Sequence, residues 1–333
     1  MAVAEAVDPV LGRAWHGGRP TWWASAAWIG GALAAAAGPV IGVRRAVAVG
    51  AIALAVALAA GPARGPAEAV VIHGIPVGHG DAFLVRLPGG GTMLVDAGGR
   101  AGEGRGPGWH LVRPYLRARG VRTVDVMVST HGHVDHAGGL VELLGELAPQ
   151  EVWLGTWEAP VDVRLRAQAQ AHGIPVRWLH REAQAARVGG ARVEVLPAWP
   201  GLGLNDTSLV LRVCGGGGCA LLTGDAERAR EALLTASSPD EVALSAAVLK
   251  VGHHGSGTST TQPFLDRVRP LVAIVPSEPD SRHGHPDPAV MRRLEDAGVR
   301  VERLDQGRAT CTVIAGGRVI QGTPGAGLRC PVR

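Results

Sequence analysis

The chain has 333 residues, 46% of them hydrophobic, a formal net charge of +4 and a mean hydropathy of +0.15. That length fits two domains, or one large domain with an extension, and the hydropathy is high for a wholly soluble protein. Five arginines against Glu5 and Asp8 place +3 of the charge in residues 1–65, so residues 66–333 keep only +1 and offer no basic excess of the kind a nucleic-acid surface shows.

In chain order, the apolar excess comes first. Trp22 to Val43 is an uncharged run of 22 residues, enough to cross the roughly 30 Å hydrocarbon core of a bilayer. Ala46 to Ala60 is a shorter run that a tilted span or a thinned bilayer accommodates. Two helices forming a hairpin fit this pattern. So does one anchor with the other segment at the interface or packed on a partner. A cleaved signal peptide fits least, because the apolar region is too long and starts too far from Met1. The positive-inside rule puts Arg44 and Arg45, between the runs, on the cytoplasmic side. Gly61–Pro66 is a breaker-rich linker, so residues 1–65 form a membrane-anchoring segment and residues 66–333 a globular domain.

Short β-branched runs then predict strands at Ala69–Val77, Ala82–Leu87, Thr92–Asp96, Val124–Thr130, Val188–Leu196, Ser208–Val213, Ala220–Thr223, Ala247–Val251, Leu271–Val275 and Ala309–Ile314. Helices are predicted at Trp109–Arg119, Leu140–Leu147, Val161–His172, Glu227–Thr235, Gln262–Val268 and Pro288–Ala297. This interleaving suits an α/β sandwich of two sheets flanked by helices. Cys214 and Cys219 flank a glycine turn that would bring them together, and Cys311 and Cys330 offer a second pair. An even count fits an oxidising compartment, and four unrelated buried thiols fit the sequence as well.

The run Ser129-Thr130-His131-Gly132-His133-Val134-Asp135-His136 places three imidazoles and a carboxylate within six residues, directly after a predicted strand. Soft nitrogen mixed with hard oxygen suits a divalent metal such as Zn²⁺ or Mn²⁺. Three further stretches follow the same logic of a strand running into a polar turn. They are Leu94-Val95-Asp96-Ala97-Gly98, Leu221-Leu222-Thr223-Gly224-Asp225 and Val251-Gly252-His253-His254-Gly255-Ser256. Lys250 is the chain's only lysine, against 32 arginines, and its compact ammonium three residues before His253 suits a phosphate oxygen as a point charge.

These four stretches, in this order, resemble the His-x-His-x-Asp-His signature and accompanying motifs of the metallo-β-lactamase-fold hydrolases. The resemblance implies an αββα sandwich, here preceded by one or two transmembrane helices. It implies two divalent ions, one on His131 and His133, the other on Asp135 and His136, with Asp225 bridging them. One residue of the His253/His254 pair would bind metal, and the other would contact substrate or link the ligands to the residues behind them. Asp96, and with it Asp81, would orient ligands from behind.

A narrower resemblance rests on Gly78-His79-Gly80-Asp81-Ala82, Asn205-Asp206-Thr207-Ser208-Leu209, Leu249-Lys250-Val251 with the His-His-Gly-Ser that follows, and Gly284-His285-Pro286. Over about residues 69–314 these stretches are similar to the C-terminal hydrolase domain of the ComEC family, the membrane channel of bacterial DNA uptake. That domain is thought to degrade DNA, which implies a metal-dependent nuclease with Asp135, Lys250 and His285 in catalytic roles. Asn205, Ser208 and Ser256 would contact substrate. Pro76 and His79 depart from the family pattern, which has Asp and Gln there. Asn205 stands where most metallo-β-lactamase-fold enzymes have histidine, which weakens the His131/His133 site.

The chain is too short for the multi-helix channel, so it is expected to be a fragment, a split gene product or a stand-alone membrane-anchored hydrolase. DNA, the membrane and separate channel or uptake subunits are the expected partners, with the hydrolase domain extracytoplasmic. Two other functions are compatible: a metallo-hydrolase of a cell-envelope phosphodiester or small ester, and a non-catalytic component of a DNA-uptake assembly.

Overall fold

Strands with both faces buried read as near-continuous apolar runs, and the two faces of the central strands here pack into different layers. The computed structural model describes residues 68–322 and Cys330, apart from 101, 103, 156–158, 180–183, 200, 239 and 241. The apolar runs 22–43 and 46–60 and the linker 61–66 lie outside the described residues. Among the described residues no helix is long and apolar enough to cross a membrane.

Two sheets form the centre. The first contains β1 (Val70–Gly74), β2 (Ala82–Arg86), β3 (Thr92–Ala97), β4 (Val126–Ser129), β5 (Glu151–Leu154), β6 (Val176–Trp178), β14 (Thr312–Ala315) and β15 (Arg318–Gln321), in the order β15-β14-β1-β2-β3-β4-β5-β6. The second contains β7 (Gln184–Val188), β8 (Ala191–Val195), β9 (Leu211–Gly215), β10 (Gly218–Leu222), β11 (Val248–Lys250), β12 (Val272–Val275) and β13 (Arg300–Arg303), in the order β13-β12-β11-β10-β9-β8-β7. Phe83 and Val85 of β2 join Leu222 of β10 and Val248 of β11 in the core between the sheets. Leu84 and Leu94 point the other way, onto the outer helices α1 (Arg113–Ala118), α2 (Val134–Leu147) and α3 (Pro160–Ala171). Leu221 and Leu249 do the same against α4 (Arg228–Ala236), α5 (Gln262–Val268) and α6 (Pro288–Asp296). The two-residue period of a strand thus builds three apolar layers from one pattern. This is the expected αββα sandwich.

Two elements differ from the sequence prediction in ways that matter for the site. The predicted strand Val188–Leu196 is β8 alone, preceded by a turn at Gly189-Gly190, where Gly189 has φ 57°, and by β7, which the prediction missed except for Val188. Helix α2 begins at Val134 rather than near Leu140, so Asp135 and His136 sit in its first turn. That turn packs on the end of β3 so closely that a Cβ on Gly99 would stand 1.8 Å from the Val134 carbonyl oxygen. Cys214 and Cys219 face each other across the β9–β10 hairpin and are bonded, and Cys311 is bonded to Cys330.

Candidate metal centre

Strands β4, β10 and β11 each pair in parallel with a neighbour, and the polar turns after them open at one end of the sandwich. In open α/β sheets that end is where ligands bind. After β4 come His131, His133 and the first turn of α2. After β10 comes Asp225. After β11 come His253 and His254. Both histidines have left-handed backbones, φ 43° and 54°, as has Asp96 at 55°. Such strain in residues with side chains concentrates at functional sites.

Four donor atoms converge. His136 Nε2 lies 3.2 Å from Asp225 Oδ2 and 3.7 Å from Asp135 Oδ2. His254 Nε2 lies 3.3 Å from Asp225 Oδ2 and 3.5 Å from Asp135 Oδ2. Ligands bound about 2.1 Å from a tetrahedral ion stand roughly 3.4 Å apart, so these spacings fit a metal. Both Nε2 atoms are buried with no hydrogen-bond partner among the described residues, as expected of imidazoles shaped to bind an ion.

The backs of the two rings are held. His136 Nδ1 sits 2.8 Å from Asp96 Oδ2, and Asp96 also accepts from the Thr130 backbone N–H and hydroxyl. His254 Nδ1 sits 3.2 Å from Asp81 Oδ1 and 3.1 Å from the Pro276 carbonyl oxygen. Asp81, His136, Asp225 and His254 each offer an atom within 4.8 Å of the others. Asp81, however, lies on the Nδ1 side of both rings, whereas Asp135 lies on the Nε2 side. Asp135 therefore completes the donor set, and Asp81 orients it from behind.

Charge follows from this crowding. Burial alone would neutralise His136 and His254, but Asp225, with Asp81 and Asp96 at one ring and Asp135 at the other, outweighs it and raises both well above the usual histidine range. Burial would likewise raise Asp225, and His136, His254 and Lys250 instead hold it well below the usual carboxylate range. His131, deeply buried and beside His136, is pushed well below. A pocket of carboxylates that gathers positive charge so strongly is chemically suited to a divalent cation.

Residues 75–277 match the model of the metallo-β-lactamase superfamily. The chain belongs to that superfamily. It is 30% identical over 247 residues to ComE operon protein 3 of Bacillus subtilis, covering 70% of this chain and 31% of the relative. It is 30% identical over 230 residues to competence protein ComA of Neisseria gonorrhoeae, covering 68% of this chain and 30% of that one. The chain thus spans about a third of the length of these curated relatives. Among solved structures, CmlA, a diiron β-hydroxylase of Streptomyces venezuelae, superposes with a TM-score of 0.51 at 16% identity, over 84% of this chain and 59% of that one, a likeness of fold.

Within this metallo-β-lactamase fold the other expected site residues take distinct places. His131 Nε2 stands 2.9 Å from His133 Nδ1 and 3.9 Å from Asp225 Oδ2, so these three residues form an adjoining donor group that shares Asp225. The amide nitrogen of Asn205 turns to Glu227 Oε1 at 3.4 Å and to His253 Nε2 at 3.5 Å, while its Oδ1 is buried with no hydrogen-bond partner among the described residues. His253 points away from the four donors and pairs through Nδ1 with Glu227 Oε1 at 2.6 Å. Of the adjacent pair, His254 is the one that faces the pocket.

Lys250 corrects the expectation of a phosphate contact. It is 1% exposed, and its Nζ donates to the Gly224 carbonyl oxygen, lies 2.5 Å from Asp81 Oδ2 and 3.5 Å from Asp225 Oδ1. The ammonium neutralises two buried carboxylates and leaves Asp225 Oδ2 aimed at the pocket.

Ser208 is fully buried too. Its hydroxyl accepts from the Asp225 backbone N–H at 3.0 Å and lies 3.3 Å from His131 Nδ1, so it braces ligands where a substrate contact was expected. The buried Ser256 hydroxyl bonds Thr258. His285 stands at the mouth, its ring 5.5 Å from that of His253, and burial together with His253 and His254 brings it down to about 4. At neutral pH it offers a neutral N–H, not a cation. Glu227 and Glu278, which no motif marked, both hold histidines through ring nitrogens. An acidic residue directly after the Gly224-Asp225-Ala226 turn was the available signal for the first.

Proposed function

We propose that this protein is a membrane-anchored, metal-dependent phosphodiesterase that degrades DNA in a competence-type uptake system. The observation that carries the hydrolase reading is the four-donor pocket of Asp135, His136, Asp225 and His254 with its two unpaired Nε2 atoms. Similarity to competence proteins supports DNA as the substrate and uptake as the context. The apolar runs 22–43 and 46–60 support membrane attachment, with the hydrolase domain on the extracytoplasmic side.

In this reading Asp135, His136, Asp225 and His254 hold one divalent ion, and His131, His133 and Asp225 hold a second, more weakly. Bound there, the ions would supply Lewis-acid stabilisation of charge on the phosphoryl oxygens and activation of water. The chain's own residues do the rest. Asp96 and Asp81 fix the His136 and His254 rings through Nδ1. Lys250 and Ser208 hold Asp225 by its other oxygen and its backbone. His285, at the mouth, donates its N–H to a phosphate or leaving-group oxygen.

The near-neutral charge of residues 66–333 favours a second reading, a metallo-hydrolase of a cell-envelope phosphodiester or small ester. Parallel assays on DNA and on bis(p-nitrophenyl) phosphate separate the two. Metal-dependent turnover of the small ester with intact DNA would select the second.

A further inference from the structure

His79 occupies a position where the family pattern noted above has Gln, and its imidazole reaches the same pocket. His79 Nε2 lies 3.4 Å from Asp135 Oδ2, and its ring centroid is 4.9 Å from that of His254. The donors His79 Nε2, Asp135 Oδ2 and His254 Nε2 all fall within 4.8 Å of one another. A second observation is independent of these distances. The two imidazoles of the four-donor pocket are each oriented by a carboxylate on Nδ1, Asp96 behind His136 and Asp81 behind His254. His79 repeats the arrangement, with Glu278 Oε1 3.4 Å from its Nδ1. Carboxylate–histidine pairs of this kind fix the tautomer that leaves Nε2 free for a metal.

We propose that His79 is a further metal ligand of this centre, on the open side of the Asp135–His254 edge, with Glu278 as its positioning residue. A third imidazole on that edge shifts the donor set toward nitrogen. Imidazole suits Zn²⁺, whereas oxygen-rich sets suit Mn²⁺ and Mg²⁺. The substitution of His for Gln therefore tunes this chain for Zn²⁺. The side chain is 31% exposed, so it also narrows the entrance to the pocket.

The inference rests on the metal centre of the preceding section but not on the identity of the substrate. Its test is metal binding by the full chain, with Zn²⁺ and Mn²⁺ affinities measured by competition with a chromophoric chelator and Co²⁺ loading followed by visible absorption. His79→Gln should weaken Zn²⁺ by about tenfold or more, move Mn²⁺ much less and change the Co²⁺ spectrum. Glu278→Gln should lie between the two, because the amide oxygen still accepts from Nδ1. Unchanged Zn²⁺ affinity and an unchanged Co²⁺ spectrum in His79→Gln would remove His79 from the centre while leaving the hydrolase reading intact. If the unaltered chain binds neither ion, both fall together.

Discussion

Lys250 shows what a side chain's burial does to its role. Its ammonium is buried among Asp81, Asp225 and the Gly224 carbonyl. Lys250→Met removes one of the positive charges, beside those of His136 and His254, that face the buried Asp81 and Asp225, and breaking such a buried pair costs about 3–5 kcal/mol. Urea unfolding of the metal-free protein should show that loss, and added Zn²⁺ should recover part of it by supplying positive charge. An unchanged midpoint would mean that the two aspartates find other partners. Asp225→Ala is expected to lower metal content at both candidate positions, because its Oδ2 lies 3.9 Å from His131 Nε2 as well as 3.2 and 3.3 Å from His136 and His254 Nε2. Undiminished content by elemental analysis would take Asp225 out of the centre. Most of the donor set was legible in the sequence, since His131, His133, Asp135 and His136 share one turn. The choice between His253 and His254 was not, because it depends on two left-handed backbones that aim adjacent rings apart. Nor was the role of Lys250, whose partner Asp81 comes from the other sheet.

Elements carry the site through how tightly they pack. Gly99 meets the start of α2 with no space for a side chain, so Gly99→Ala should push that turn outward and loosen Asp135 and His136. Overpacking of this kind costs about 1–3 kcal/mol, and weaker metal binding should accompany it. Glu231 of α4 accepts from the backbone N–H groups of Thr260 and Thr261 at 2.5 and 2.7 Å, at the entrance to α5. Burial pushes its carboxyl up to about 7. The folded state then binds that proton more tightly than the unfolded chain does. The resulting stabilisation is complete below about pH 4.5 and is lost as the pH rises through about 7, some 3 kcal/mol in all. Glu231→Gln should flatten that part of the stability–pH curve, and an identical slope in both proteins would reject the assignment. The helices of the second half and most core strands were readable from their periods. The early start of α2 was not, since Val134 to Gly139 carries ligands and glycines in place of an apolar stripe. Strands β5, β6, β13 and β15 were not, since they carry Glu151, Arg177, Arg300, Glu302 and Arg318 where equally short strands such as β12 are apolar throughout.

In the chain as a whole, the metallo-β-lactamase sandwich follows an apolar N-terminal sequence that lies outside the described residues. The disulfides Cys214–Cys219 and Cys311–Cys330 agree with an oxidising compartment. Labelling in intact cells should therefore find these cysteines unreactive until reduced, and the segment around Gly61–Pro66 open to protease from outside. Reactive thiols reachable only from the cytoplasm would reverse the topology. The central claim is metal-dependent cleavage of DNA, and one measurement tests it most directly. The full chain, loaded in turn with Mn²⁺, Mg²⁺ and Zn²⁺, is incubated with single- and double-stranded DNA beside His254→Ala and a chelator control. Cleavage that requires the ion and falls by at least a hundredfold in His254→Ala, about 2.7 kcal/mol of transition-state stabilisation, is the expected result. Full metal occupancy with both DNA forms left intact would contradict it.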